Sequence, residues 1–371
     1  MEKNQKKIFF NYATVGLMNP VVYKAASNFL EEYFRVGPPK VLIKYEQYAK
    51  KLSREVSILL HCGEDEVIYI KNTAEGIIIA SEVLPLEKND EVLMLGNEYP
   101  ANLLAWLKKR KDGILLRIID VTDNDNAKAF QNLLTSITNK TKVISISWGQ
   151  YYDGYLPDMA VLSRICLEKH IFLLIDAVHG IGTRYLDLQK TPVDILVCGG
   201  QKYLGGIVGI GFMYINKKIM KRLKDFKVGI RSVKEFSKSS YILKDTAERF
   251  ADGTQNILGI VALYHAIKKV NSTGIRNIER KNLLLLKTFK NCLYENNIPF
   301  IDHKNQSNII SLKIKNPVEF CSFLQRHSVY IKPVQDVARV SFSHRSGVSD
   351  FKYLVKKTRE WLDRKEKQPL L

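Results

Sequence analysis

Cysteine is scarce in this sequence, and the few thiols are scattered. Five cysteines occur among 371 residues, with no CxxC pair and no Cys/His cluster. An odd, scattered set excludes a disulfide framework and lacks the paired ligands of a structural zinc site. A chain of this length can bury a stable core without cross-links, so we expect a protein of a reducing, cytoplasmic compartment with no metal site.

Long apolar runs are also absent. No stretch reaches about eighteen consecutive apolar residues, which excludes a membrane-spanning helix, and the opening MEKNQKKIFFNYA lacks the apolar core of a secretory signal. With 21 Gly, 11 Pro, 46% hydrophobic and 26% charged residues, the composition is neither fibrous nor disordered. We therefore expect about two to three globular domains and no membrane partner.

Acidic residues are few relative to basic ones. The chain has 38 Asp and Glu against 57 Lys and Arg, a net charge of +19. Such a surplus can attract nucleic acid, but here it is dispersed along the chain. The densest run, KKIMKRLKDFK at 217–227, is interrupted by Asp225. We interpret the surplus as a solvated surface and expect no nucleic-acid partner.

From residue 67 onward, short β-rich apolar runs alternate with helix-length spacers. Seven such runs lie at 67–70, 91–95, 114–119, 143–147, 172–175, 194–198 and 209–215. Buried runs separated by helical segments predict an α/β fold with a mostly parallel sheet and helices on both faces. Two helical stretches, 21–33 and 41–60, precede the sheet and are separated by Gly37-Pro38-Pro39.

The pattern changes after residue 256. Two long helical stretches are followed by two strand-like segments with a helix between them and by a final amphipathic helix, and the ranges are 257–270, 275–296, 309–314, 338–342 and about 349–365. We predict three parts. They are an N-terminal arm (1–20) that packs with the small domain, a large domain (21–256) and a small α+β domain (257–371).

Two residues that follow buried strand-like runs can carry chemistry. Asp176 ends FLLID at the predicted carboxyl edge of the sheet, where open α/β sheets bind ligands; the alternative is a helix cap. Lys202 follows an apolar run and two glycines. A desolvated lysine can attack a carbonyl to form a Schiff base; the alternative is an exposed lysine on a turn. A lone histidine such as His179 is more often structural than catalytic.

A third feature is a candidate phosphate cradle. The run NTAEG (72–76) follows the first strand and opens a helix, whose free N–H groups can bind a phosphate. Many helices begin this way, so the signal is the combination of this cradle, Asp176 and Lys202, in that order. The C-terminal segment ARVSFSHRSGVSD (338–350) then adds Arg339.

Together these segments resemble the pyridoxal-phosphate enzymes of aminotransferase class V, a group of aminotransferases, cysteine desulfurases, selenocysteine lyases, kynureninase-like hydrolases and isopenicillin N epimerase-like enzymes. The resemblance covers essentially the whole chain, through FFNYATVGL (9–17), NTAEG (72–76), NEYPANLLAW (97–106), IDAVHGIG (175–182), GGQKYLGG (199–206), RFADGTQNILG (249–259) and ARVSFSH (338–344). It implies fold type I, that of aspartate aminotransferase, with pyridoxal 5′-phosphate as cofactor and a small amino-acid-like substrate.

Matching positions imply roles within that family. Lys202 matches the lysine that forms the Schiff base with the cofactor, and Asp176 matches the partner of the pyridine nitrogen. Thr73 and Ala74 match the phosphate cradle. Arg339 matches the arginine that binds the substrate carboxylate through a bidentate pair.

Other matched positions depart from the common pattern or involve a second subunit. Tyr99, a further candidate catalytic residue, replaces a histidine that stacks on the cofactor ring. His179 replaces a glutamine and could donate to the ring's phenolic oxygen, which Tyr151 would also approach. Gln201 replaces a histidine and is expected to take over a phosphate contact. Thr254 matches a threonine that reaches the neighbouring subunit's cofactor, which implies a homodimer with shared active sites.

The resemblance leaves several reactions open. Cysteine desulfurases carry a nucleophilic cysteine shortly before the C-terminal arginine, but 328–338 contains none. Cys321 lies in a predicted helix, where a small buried hydrophobe is the simpler interpretation. We expect an aminotransferase. The alternatives are a C–S lyase or epimerase of the same family without the desulfurase cysteine, or a non-catalytic basic binding protein on a retired enzyme fold.

The interpretation of the charge surplus predicts weak binding to nucleic acid. Because dispersed surface charge gives only counterion-dependent attraction, binding to a random DNA duplex should be lost at physiological salt. A fluorescence-anisotropy titration at low and physiological salt measures this. Tight binding that survives physiological salt would mean that the surplus is a nucleic-acid site.

Overall fold

Strands and helices alternate through most of the chain. The structure is a computed structural model that describes residues 7–366, apart from the side chains of residues 38–39, 41–42, 45–46 and 365–366. The described strands are β1 (Ile8–Phe9), β2 (Val67–Ile70), β3 (Glu91–Leu95), β4 (Leu115–Ile119), β5 (Thr141–Ser147), β6 (Phe172–Asp176), β7 (Ile195–Gly199), β8 (Gly211–Ile215), β9 (Val233–Phe236), β10 (Tyr241–Leu243), β11 (Ile309–Leu312), β12 (Val329–Tyr330), β13 (Lys332–Val334) and β14 (Val337–Ser341). The described α-helices are α1 (Pro20–Val36), α2 (Pro38–Leu60), α3 (Thr73–Val83), α4 (Pro100–Lys109), α5 (Asn126–Thr135), α6 (Met159–Glu168), α7 (Ile257–Thr273), α8 (Ile275–Glu295), α9 (Pro317–Arg326) and α10 (Val348–Glu366).

The seven apolar runs form the strands of one sheet. The strand order is β2-β8-β7-β6-β5-β3-β4; neighbouring strands from β4 to β7 are parallel, whereas β8 is antiparallel to both β7 and β2. All residues of β3, β6 and β7 are buried, because helices cover both faces of the sheet. The predicted α/β class with a mostly parallel seven-stranded sheet is therefore confirmed.

Alternate residues of each strand enter different cores. In β6, Leu173 and Ile175 pack in the cluster formed with α2, α6 and α7. Phe172 and Leu174 pack on the opposite face with α3 and α4. Each fully buried large apolar side chain contributes roughly 1.5–3 kcal/mol relative to exposure, so two-sided burial holds the strand ends in fixed positions.

The two helices before the sheet begin at prolines. Asn19 caps α1 by accepting a hydrogen bond from Val21 N at 3.1 Å, and Pro20 occupies the first turn. The segment Gly37-Pro38-Pro39 is not wholly a break: only Gly37 separates the helices, and the prolines lie in the first turn of α2. Proline fits there because the first N–H groups of a helix have no intrahelical acceptor.

The C-terminal elements surround a smaller sheet in which β14 pairs antiparallel with β11 and β13. One face of this sheet packs in a core cluster with α8, α9 and α10. Helix α7 packs instead on the core of the large sheet, through Leu263 and Ile267. The predicted division of the chain into arm, large domain and small domain stays a prediction.

The N-terminal segment connects the small sheet to the loop after β7. Strand β1 pairs in parallel with β12, and Tyr12 N donates to Ser341 O at 3.3 Å. Farther along, Gly16 N donates to Gln201 O at 2.8 Å. A Cβ at Gly16 would lie 2.1 Å from Lys202 O, so only glycine allows this approach. Residues 1–6 of the predicted arm lie outside the described residues.

Within residues 7–366, none of the helices is both long and apolar enough to cross a bilayer. The same part of the chain has no group of three or more His, Cys, Asp or Glu side chains that could hold a metal ion.

Candidate active site

Asp176 lies at the carboxyl edge of the sheet, as the last residue of β6. Its side chain is 4% exposed, and Val178 N donates to Oδ1 at 3.1 Å. Burial raises the pKa of Asp176 to about 6; the nearby Lys202 and the Val178 N–H oppose that rise, and the Glu98 carboxylate adds to it. A cationic group next to such a buried carboxylate stabilises its charged form.

Lys202 lies on the turn after β7, close to Asp176. Its Nζ is 3.0 Å from Nε2 of His179 and 5.8 Å from the ring centroid of Tyr99. Burial lowers the pKa of Lys202 to about 8, although Asp176 favours the charged form, and Arg339 lowers it further. A sizeable fraction of the neutral amine is therefore present near neutral pH, as a nucleophile or base requires.

His179 bridges the loop after β6 and Lys202. Its Nδ1 is 2.8 Å from Gly149 O, and its Nε2 faces Lys202 Nζ. Burial, with the Lys202 charge next, lowers the pKa of His179 well below its usual value, so the ring is neutral. Gly149 O and Ala13 O, the latter 3.3 Å from Nε2, can only accept, so the single ring proton serves one of them. The shorter contact, at Nδ1, favours the proton there, and Nε2 then accepts from Lys202. The predicted donation to a phenolic oxygen would need the ring proton on Nε2, and it stays a prediction.

Two tyrosines line the same space. The Tyr99 and Tyr151 rings meet edge to face, 5.3 Å apart at 81°. Tyr99 precedes the first turn of α4 and remains 48% exposed, so one ring face is free for stacking. The Tyr151 hydroxyl lies 3.3 Å from Gln335 Nε2, which donates to it.

The residues of the predicted phosphate cradle lie where α3 begins. Asn72 caps the helix by accepting from Glu75 N at 2.9 Å, which leaves the first-turn N–H groups of Thr73 and Ala74 free to point outward. A Cβ at Gly199 would lie 2.6 Å from Gln201 Oε1 and 3.1 Å from Thr73 Oγ1. The Gln201 amide thus occupies space that a side chain at position 199 would take.

Arg339 reaches the site from β14. Its guanidinium donates to Tyr151 O at 2.8 Å and to Thr14 Oγ1 at 2.9 Å. The Nε atom is buried and has no hydrogen-bond partner among the described residues. Thr14 belongs to the N-terminal segment and is a contact that the motifs do not reveal, since only the fold brings it to Arg339.

Thr254 is not brought into this group. It lines a surface cavity with Tyr69 and Arg231, and a second one with Lys71 and Glu75. No contact of the described residues joins it to Lys202. The predicted sharing of the site between two subunits stays a prediction.

The model of the aminotransferase class V family matches residues 8–346. The chain belongs to the aminotransferase class V family. A probable cysteine desulfurase of Pyrococcus abyssi is 25% identical over 343 residues, which cover 88% of this chain and 84% of that protein. An uncharacterized aminotransferase of Schizosaccharomyces pombe is 23% identical over 366 residues, covering 95% of this chain and 91% of that protein.

Solved structures show the same fold. The complex of the cystine C–S lyase C-DES with its product cysteine persulfide superposes with a TM-score of 0.88 at 17% identity, covering 96% of this chain and 98% of that chain. At this identity the likeness concerns the fold alone. The predicted fold type I is confirmed, as is membership of the class V family with its cofactor, pyridoxal 5′-phosphate.

The residues present fit this cofactor. Gln201 Oε1 is buried without a partner, next to Thr73 and the space left by Gly199. Rotating that amide by 180° would present its NH₂ to a phosphate, beside the free N–H groups of α3. Asp176 would supply the carboxylate for a protonated ring nitrogen, and Lys202 would supply the amine for the aldehyde carbon; both roles stay predictions.

Glu98 is a site residue that the motifs do not reveal. Its carboxylate accepts hydrogen bonds from Ser147 N, Ser147 Oγ, Asn102 Nδ2 and Gln150 Nε2, at 2.5–2.9 Å. Burial raises its pKa in spite of these bonds. Because Glu98 directly precedes Tyr99, the network ties the start of α4 to the end of β5. The signal that the sequence offered was an acidic residue directly before Tyr99, a candidate stacking residue.

Replacing Glu98 by glutamine tests this positioning role. The Glu98→Gln amide turns one acceptor into a donor facing other donors, so the free energy of unfolding should fall by about 1–3 kcal/mol, measured by urea denaturation. Cofactor affinity should fall several-fold in a spectral titration, because Tyr99 loses its fixed position.

Glu91→Gln is the matched control. Glu91 is also buried but begins β3, at the opposite edge of the sheet, where it accepts from Thr141 Oγ1 at 2.6 Å. This variant should lose stability and keep its cofactor affinity. Equal cofactor affinity in both variants would show that Glu98 is only structural.

Proposed function

We propose that this protein is a pyridoxal-phosphate-dependent C–S lyase. It would cleave the Cβ–S bond of a cysteine-derived amino acid and release the sulfur on a small molecule, without a protein persulfide. The observation that carries the proposal is that Lys202 and the side chain of Arg339 lie at one edge of the large sheet, while the β13–β14 hairpin next to them contains no cysteine. The name of the Pyrococcus abyssi relative supports sulfur amino acids as the substrate class.

Each site residue has its own role in the proposed reaction. The bound cofactor supplies an electron sink for the bond broken at Cα. Arg339 orients the substrate by its carboxylate, through Nε and the remaining N–H groups of its fork. Lys202, with its lowered pKa, takes the Cα proton on Nζ, and His179 Nε2 holds that amine in place. Asp176 keeps a proton on the ring nitrogen.

The cysteines are poorly placed for a persulfide. Burial raises the pKa of Cys166 and of Cys321 to about 12, and that of Cys198 beyond the usual range. Thiols with raised pKa values are poor nucleophiles at neutral pH. Cys321 lies on α9 and packs against the core of the small sheet, on the face away from Arg339.

The hairpin before Arg339 is also fixed in place. Strands β13 and β14 are joined by the two-residue turn Gln335-Asp336. Tyr152 donates to Asp336 Oδ1 at 2.7 Å, and Gln335 donates to Tyr151. A segment held at both turn residues does not supply the mobile thiol that a desulfurase needs, which favours direct release of the sulfur product.

Transamination is the second candidate, and it is the reaction expected from the sequence. The name of the Schizosaccharomyces pombe relative favours it. In transamination, Lys202 would return the Cα proton to the cofactor carbon, and the Cβ–S bond would stay intact. A homodimer in which Thr254 reaches the second active site belongs to both candidates.

The first prediction concerns Lys202. Cofactor capture by the cofactor-free protein should speed up as the pH rises through about 8, because the amine of Lys202 is neutral above its lowered pKa. Stopped-flow absorbance measures the rate. Borohydride reduction and peptide mapping should place the pyridoxyl group on Lys202.

Lys202→Ala should give no pyridoxyl-lysine after borohydride reduction, whereas the exposed-lysine control Lys190→Ala should give it as the wild type does. A pyridoxyl group on another lysine of the wild-type protein would overturn the assignment.

The second prediction separates the candidate reactions. Incubation with L-cysteine and S-substituted L-cysteines should yield pyruvate, ammonia and a free sulfide or thiol in equal amounts. Cys321→Ala should leave turnover nearly unchanged. Arg339→Ala should raise KM strongly, and Arg339→Lys should rescue it in part, because lysine offers a point charge where a planar fork is needed.

Two other outcomes would each identify a different enzyme. Accumulation of the 2-oxo acid of the intact substrate together with pyridoxamine phosphate would establish transamination. Loss of activity in Cys321→Ala, with a persulfide on the wild-type protein, would establish a desulfurase.

A further inference from the structure

Lys332 lies directly opposite Arg339 across the β13–β14 pair. Directly opposed residues of an antiparallel pair project from the same face, with Cβ atoms about 4.5–5.5 Å apart. Lys332 therefore shares a face with the arginine that reaches Tyr151 and Thr14.

The face in question is the one that looks towards the active site. Residues of the other face, such as Ala338 and Val340, pack in the core with α8, α9 and α10. On the site face, Val334 and Val337 pack with the Tyr151–Tyr152 segment. Lys332 is two residues before Val334 in β13, so strand alternation puts it on the same side.

The ammonium of Lys332 is exposed and has no ion-pair or hydrogen-bond partner among residues 7–366. The acidic residue nearest to it in the hairpin, Asp336, is already engaged by the Tyr152 hydroxyl. Beside it, Gln335 presents its amide to Tyr151. The rim of the site thus offers an uncompensated cation and an amide, beyond the guanidinium of Arg339.

We propose that Lys332, together with Gln335 of the hairpin turn, binds a second anionic group at the far end of the substrate. The preferred substrate is then a cysteine thioether or disulfide whose sulfur substituent ends in a carboxylate. The sulfur in the proposed substrate rests on the proposed C–S lyase function. The second negative charge rests only on the position of Lys332 in the β13–β14 hairpin. Arg339 takes the carboxylate on Cα, and Lys332 takes the one beyond the sulfur.

The reaction needs no oxidant or reductant. With S-carboxymethyl-L-cysteine, Cα loses its proton to Lys202, and the Cβ–S bond breaks with its electron pair leaving on sulfur as thioglycolate. Water hydrolyses the remaining three-carbon enamine to pyruvate and ammonia. Lys332 makes no bond in this sequence and only selects the leaving group.

The test compares S-carboxymethyl-L-cysteine with its neutral isostere S-carbamoylmethyl-L-cysteine on the holoenzyme. Wild-type kcat/KM should favour the carboxylate by about threefold to tenfold, as expected for a partly exposed charge pair. Lys332→Gln should remove this preference, and Lys332→Arg should keep most of it. Lys352→Gln, on the outer helix α10, removes the same charge and should change nothing.

A binding readout makes the test independent of C–S cleavage. Spectral titration with the free amino acids L-glutamate and L-glutamine should show the same preference for the carboxylate, and the same loss in Lys332→Gln. A preference that persists without any C–S cleavage would support the anion site and overturn the lyase function. No preference in the wild type, or equal weakening of both ligands by Lys332→Gln, would overturn the anion site.

Discussion

The removal of water from Asp176 and Lys202 is the constraint on which the site depends. Burial opposes the charged form of each group, and each partly restores the charge of the other. A cation next to the Asp176 carboxylate therefore stabilises its charged form, and the Lys202 amine loses its proton more easily than an exposed lysine does. Such a state persists only because the two-sided core around β6 and β7 holds both residues at one edge of the sheet.

Two distant parts of the chain close around this pair. The N-terminal segment brings Gly16 against the Lys202 loop and Thr14 to Arg339, while β14 brings the guanidinium. The small sheet is thereby tied to the carboxyl edge of the large sheet by hydrogen bonds, in addition to the packing of Val334 and Val337 on the Tyr151–Tyr152 segment. Arg339 and Lys202, the proposed substrate-binding residue and the proposed base, thus lie on separate elements that the N-terminal segment connects by hydrogen bonds.

The strands, and Asp176 and Lys202 as candidate site residues at the sheet edge, were predictable because their signals are local. Parallel strands buried on both faces read as continuous apolar runs, and all seven were found, although the antiparallel direction of β8 has no local signal. The sequence led us to expect that Gln201 takes over a phosphate contact. Only the structure shows that its amide occupies the volume beside Thr73 that a side chain at Gly199 would take.

The sequence by itself determined the order of strands and helices, the class V motifs, and the identity of Lys202, Asp176 and Arg339 as candidates. Only the tertiary structure decided that Glu98 links the start of α4 to the end of β5, that His179 contacts Lys202, and that Lys332 stands opposite Arg339. The physical reason is the separation along the chain between the groups that interact. Strand patterns and helix caps depend on neighbours in the chain, whereas pKa values, tautomers and cross-strand partners depend on groups that only folding brings within a few ångströms.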